Sequence, residues 1–257
     1  MGILLRVKDA SFESKSIGFA PAVTRGLAYW NYFGNSEDRL LRNLAPNGAK
    51  SGKAGDPVLS DAYASLSKTG YITTQAKQSA DQTMIAIFRP TSEVTANIIS
   101  NNATPRVPPL TGLTFGASLW CTVGTIGDNA VHAYYNQNVF NGLSSHNGRT
   151  TCAAMSAALA LNQWHPVAGR FNSATATASI KHLQTNEMVS NAAVAPNNIP
   201  DVGVLPFGIG HGYSDGLGTA SKDVAFVAIY NAYLSDDELD LVYEQAKLFL
   251  GRRGIVV

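Results

Sequence analysis

The chain has 257 residues, with 19 Lys or Arg against 18 Asp or Glu, a formal charge of +1 and only 14% charged residues, where soluble domains average about 25%. Near-neutrality without a run of five Lys or Arg removes the long-range attraction that nonspecific binding to nucleic acid or an anionic membrane relies on. A hydrophobic fraction of 45% fills a core and excludes disorder along the whole chain.

No apolar stretch approaches the ~20 residues that cross a bilayer. The short apolar start, followed at once by Arg6, Lys8, Asp9, Glu13 and Lys15, has the wrong order for a secretory signal. Residues 1–25 show neither helical nor alternating periodicity and read as an extended N-terminal arm. The scattered Ile3, Leu4, Leu5, Val7, Phe12, Ile17 and Phe19 cannot bury themselves on such an arm. They are expected to dock on another surface, either a neighbouring chain or, as a first strand, the edge of this one.

Residues 26–257 read as one domain. β-Branched and aromatic runs separated by Pro, Gly and Asn predict strands over Thr83–Phe88, Ala96–Ser100, Leu113–Val123, Ala130–Asn136, His165–Phe171, Ala176–His182, Val204–Ile209 and Val224–Tyr230. So many short strands at this spacing predict an antiparallel β-sandwich. Ala153–Leu161 fits a helix or a strand. One helix is predicted, over 235–250, because Ser235 followed by Asp236, Asp237 and Glu238 forms a capping box with acids at the positive helix end. Leu239, Val242, Tyr243, Ala246, Phe249 and Leu250 then share one face.

From Val107 to Gly169 the only charged residues are Asp128 and Arg149. Burial on both faces, a subunit contact or a neutral glycan surface each accounts for that depletion. The two cysteines, Cys121 and Cys152, lie in no zinc or CxxC spacing and read as free and packed.

No ExDxxE strand pattern, GxSxG elbow, HExxH or clustered histidines occur, so no catalytic residue is assigned. Asp128, Asp215 and Asp223 lie on polar loops, where Ca²⁺ finds oxygen ligands, but too few accompany them to define a site. No other cofactor is expected. Candidates for a sugar contact are Tyr134, Tyr135, Asn136, Asn138, His146 and Tyr213, because aromatic faces pair with sugar faces and amides with hydroxyls. Trp120 and Trp164 lie in apolar strand patterns and are expected in the core.

Three segments carry a family likeness: GLAYWNYFGN (26–35) with AGDPVLSDAYASLSKTGYITT, NQWHPVAGRFNSATATASIKHLQTNEM (162–188), and above all DVAFVAIYNAYLSDDELDLVYEQAKLFL (223–250). They resemble the concanavalin A-like (LamG-like) lectin/glucanase domains, of the kind found in tail-associated virion proteins of tailed phages. The resemblance implies an antiparallel jelly roll with a closing strand and helix. It also implies a non-catalytic module of the virion tail, assembled in the host cytoplasm, that attaches to other tail proteins through its arm, forms a homo-oligomer and recognises a host-surface carbohydrate. A purely structural virion role is the alternative, and a polysaccharide-degrading glycosidase a third, weakened by the missing acid pair.

Overall fold

The computed structural model describes residues 20–92, 95–108, 112–114, 116–123, 130–138, 148–155, 159–175, 177–192, 199–200, 202–213 and 220–257, the side chains of 134–138, 148–155, 192 and 199–200 excepted. In chain order the elements are β1 (Leu27–Tyr32), α1 (Glu37–Leu41), β2 (Gly52–Gly55), β3 (Val58–Leu59), β4 (Ala64–Leu66), β5 (Gly70–Thr73), β6 (Gln82–Pro90) and β7 (Thr95–Ser100). There follow β8 (Thr104–Pro105), β9 (Leu113–Thr114), β10 (Ala117–Thr122), β11 (Ala130–Asn138), β12 (Gly148–Met155), β13 (His165–Asn172) and β14 (Thr177–His182). The chain closes with β15 (Met188–Ala192), β16 (Ile199–Pro200), β17 (Gly208–Ile209), β18 (Lys222–Tyr230) and α2 (Asp236–Gly251).

Two eight-stranded sheets face each other. The first runs β15-β14-β13-β6-β18-β4-β3, with β1 also on β18; the second runs β12-β11-β10-β7-β17-β5-β2, with β16 on β11. Every pairing is antiparallel, and neighbours far apart in sequence, such as β6 beside β18, give the jelly-roll character. The predicted strand over Leu113–Val123 is split into β9 and β10 around Gly116, whose φ is +57°. Ala153–Met155 belongs to a strand, β12.

The two sheets differ in how many of their faces are apolar. Along β6, Met84, Ala86 and Phe88 enter the core between the sheets, while Ile85 and Ile87 enter a second core beneath α2. A bulge between Val224 and Phe226 inserts Ala225 into β18. Val224, Val227 and Ile229 therefore face the other sheet, and Phe226, Ala228 and Tyr230 face the helix. Burial on both sides explains why these strands read as continuous apolar runs. In the second sheet Ile72, Ile99, Leu119, Cys121 and Val131 face the core, but the alternate positions are polar. The sheets approach closely at Gly169, where an added Cβ would lie 3.1 Å from that of Ala133.

Helix α2 begins as the sequence predicts. The Ser235 side chain accepts from the Glu238 amide at 3.2 Å, and the Glu238 carboxylate accepts from the Ser235 amide at 2.8 Å. Leu239, Val242, Tyr243, Ala246 and Leu250 then bury against Trp30, Phe226 and Tyr230, with Trp30 edge-on to Phe226 at 4.9 Å. Leu241 and Leu248 on the other side of the helix stay exposed. Of the arm expected over residues 1–25, residues 1–19 lie outside the described residues. From Ala20 the chain runs along α2, where Gln245 donates to the Ala20 carbonyl and accepts from the Ala22 amide, and Arg25 pairs with Glu238 at 2.6 Å. The short helix α1, which sequence periodicity does not mark, is capped by Ser36 and held by Asn31, which donates to the carbonyls of Arg39 and Leu40.

Beyond the end of α2, the outer face of the first sheet closes with a polar latch. Arg89 of β6 donates through Nε and Nη2 to Asp223 of β18, at 3.0 and 2.6 Å, and lies over the rings of Tyr63 and Trp164 at 5.0 and 4.7 Å. Trp164 is thus half-buried at the margin of the core beneath α2, and not fully inside it, because its ring face covers a cation. Arg89→Ala strands a buried carboxylate and is expected to lower unfolding stability by about 3 kcal/mol, whereas Ser235→Ala, which removes a cap, costs about 1 kcal/mol. Urea denaturation of the two variants checks this, and equal losses would contradict the role given to the latch.

Candidate functional site

The outer face of the second sheet is where polar and aromatic side chains gather. Its floor comprises Asn97 and Ser100 of β7, Ser118, Trp120 and Thr122 of β10, and His132 of β11, put side by side by the antiparallel register. Alternation in Ala117–Thr122 dictates this: Ala117, Leu119 and Cys121 go inward, so Ser118, Trp120 and Thr122 go outward. Trp120 is consequently a half-buried surface ring and not the core residue expected from its apolar neighbours.

Trp120 and His132 occupy paired positions and stack, with centroids 4.1 Å apart and planes 14° from parallel. The Thr122 hydroxyl lies 3.3 Å from His132 Nε2. Ser100 and Ser118 hydroxyls share a hydrogen bond of 2.7 Å, and Ser100 also accepts from the Asn102 amide at 3.1 Å. None of the six floor residues is an acid, a lysine or an arginine; Asn97, Ser100, Ser118 and His132 are buried, and the half-buried Trp120 and Thr122 are what this neutral face presents outward.

One wall is the chain from Gly210 to Tyr213. Gly212 packs so closely that a Cβ there would lie 2.8 Å from the Ser100 hydroxyl and 3.4 Å from the Asn97 amide nitrogen. Tyr213 donates its amide to the Asn102 carbonyl and its hydroxyl to that of Pro206, both at 2.9 Å. Burial, then the neighbouring Tyr71, raises its pKa above the usual phenol value. The His211 ring lies 5.0 Å from that of Tyr71. Behind the wall, Lys222 is wholly buried. Its Nζ donates to the carbonyls of Gly210 and, at 3.0 Å, Ala220.

Of the sequence-derived candidates, Tyr213 is the one whose side chain is described, and it joins this wall. Tyr134 stands opposite Ser118 and Cys152, Tyr135 opposite Ala117 and Thr151, Asn136 opposite Thr150, and Asn138 opposite Gly148. In the alternation of β11, Tyr134, Asn136 and Asn138 take the positions of the His132 series. Their side chains, that of Cys152, and all of His146, Asp128 and Asp215 lie outside the described residues. Cys121 is a free, buried thiol, pushed up to about 12 by burial. Asp223, considered as a Ca²⁺ ligand, accepts from Arg89 and the Ser65 hydroxyl and so serves as an ion-pair partner. Among the described residues no three His, Cys, Asp or Glu converge as a metal site.

The same two-sheet architecture occurs in solved structures. No protein-family model matches the chain, and no curated protein matches it. The botulinum neurotoxin serotype D ligand-binding domain, in complex with N-acetylneuraminic acid, is similar with a TM-score of 0.57 and 12% identity, over 86% of this chain and 51% of that one. The serotype D binding domain in another crystal structure gives 0.56 and 10%, over 87% and 51%. Trypanosoma rangeli sialidase, in complex with a difluorosialic acid as covalent intermediate, gives 0.54 and 14%, over 90% and 34%. The chain spans about half the length of the toxin domains and a third of the sialidase. At such identities the likeness establishes a β-sandwich fold, shared by binding domains and by enzymes.

Lys222 makes stability depend on pH. Burial depresses it from its ordinary 10.5 to about 7, opposed weakly by Cys121. Between these values the unfolded chain holds a proton that the folded chain lacks, so stability rises with pH across the window; below about 7 both states are protonated and the burial penalty is fully in force. His165 and His182, lowered first of all by burial, act in the same direction on the acid side. Denaturation midpoints are expected to climb from neutral to alkaline pH, and Lys222→Met to flatten that slope. An unchanged slope in the variant would exclude Lys222 as its source.

Proposed function

We propose that this chain is a non-catalytic carbohydrate-recognition module whose ligand lies on the outer face of the second sheet, against Trp120 and His132. The observation that carries this reading is the stacked indole and imidazole on a neutral polar face. The C–H face of a pyranose packs on an aromatic plane while its hydroxyls require neutral donors and acceptors, and Asn97, Thr122 and Ser118 are placed beside the rings. Its fold likeness to domains crystallised with sialic acid is in keeping with the reading.

For its setting we propose a tailed-phage virion, in which the arm attaches the protein to tail neighbours, copies associate and the polar face addresses a host-surface glycan. That setting rests on the overall look of the arm, of the opening segment and of the C-terminal RRGI tail. A purely structural virion role draws support from the exposed Leu241 and Leu248 on α2, a surface suited to a protein neighbour.

A glycan array followed by calorimetric titration tests the reading. Trp120→Ala is expected to weaken the best glycan about tenfold or more, equivalent to ~1.5 kcal/mol of stacking, with the thermal midpoint nearly unchanged. Because no charge takes part, affinity is expected to vary less than about twofold as ionic strength rises from ~0.05 to ~0.5 M. No bound glycan, or full affinity in Trp120→Ala, would leave the structural role standing.

A further inference from the structure

Lys222 is a costly residue to bury, and among the described residues no carboxylate lies in salt-bridge range of it. Such an ammonium is tolerated only where its protons are used. Two are used on carbonyls that bracket one segment, Gly210 before it and Ala220 after it. Gly210 is fixed from other sides as well: its amide donates to the Ile98 carbonyl at 2.9 Å, and with φ at +91° an added Cβ would fall 2.4 Å from that of Leu66. The next residues, Gly212 and Tyr213, form the wall against Ser100, Asn97 and Asn102.

We propose that Lys222 is the positioning residue of the polar face: its ammonium seats Gly210–Tyr213 against β7, and loss of its proton, with the side chain still buried behind the segment, loosens that wall. This rests on the reading of the face as a ligand site. Charge-assisted hydrogen bonds are roughly twice as strong as neutral ones, so a neutral amine holds both carbonyls less firmly. Burial brings the change near neutrality, at about 7.

The groups facing Lys222 leave it in control. Cys121 of β10 titrates far higher, at about 12, and the register partners on β4 and β6 are Leu66 and Pro90. Asp223 and Arg89 pair with each other at the alternate position, and His211 belongs to the wall itself.

Hydrogen exchange on the ligand-free full chain, corrected for intrinsic rates, tests this without a sugar, so its failure is distinct from failure of the glycan reading. Between about pH 6 and about pH 9 the amides of Gly210 and Tyr213 are expected to lose about tenfold protection while those of α2 do not. In Lys222→Met both amides are expected to exchange fast at either pH. Should that variant not fold, the wild-type comparison decides. Protection that is independent of pH in the wild type, or retained in a folded Lys222→Met, overturns the proposal.

Discussion

The structure depends on one sheet being covered twice. β6 and β18 supply apolar side chains to both of their faces, one against the second sheet and one against α2. Lys222 apart, every charge these strands carry must therefore stand where the helix no longer reaches, as Arg89 and Asp223 do, locked together against Tyr63 and Trp164. Among the described residues no helix covers the second sheet. It is the layer whose far face can carry polar chemistry without opening the core.

That division makes the run poor in charge intelligible. The stretch from Val107 to Gly169 supplies β10 and β11, whose described inward positions, Ala117, Leu119, Cys121, Val131 and Ala133, are apolar and whose described outward positions, Ser118, Trp120, Thr122, Ala130 and His132, carry no charged side chain of Asp, Glu, Lys or Arg. Charge is missing on one side because that side is buried, and on the other because the face is neutral. Either cause alone would leave half of the positions free to ionise.

Much of the fold was legible in the sequence. Ser235 and Glu238 announce α2 through local chemistry, which needs no tertiary context, and seven of the eight predicted strands follow from β-branched runs between turn residues; of Val204–Ile209 only Gly208–Ile209 is strand. The face of Trp120 was legible too, in the alternation of Ser118, Trp120 and Thr122 with Leu119 and Cys121, but a tryptophan among apolar letters reads as core unless its parity is counted. Other features were not legible. α1 has only five residues and is held by Asn31, a residue from a different element. β2, β4 and β17 are too short to show a period. Asp223 reads as a loop carboxylate until β6 sets Arg89 beside it, and nothing local marks Lys222 as buried.

The bulge at Ala225 also has a bearing on how this chain can change. One surplus residue shifts the phase of β18, so that Val224 and Val227 meet the same layer although they are an odd number of positions apart. Evolution can exchange side chains around that kink one at a time, but it cannot shorten the strand there without transposing Lys222 and Asp223 between interior and exterior.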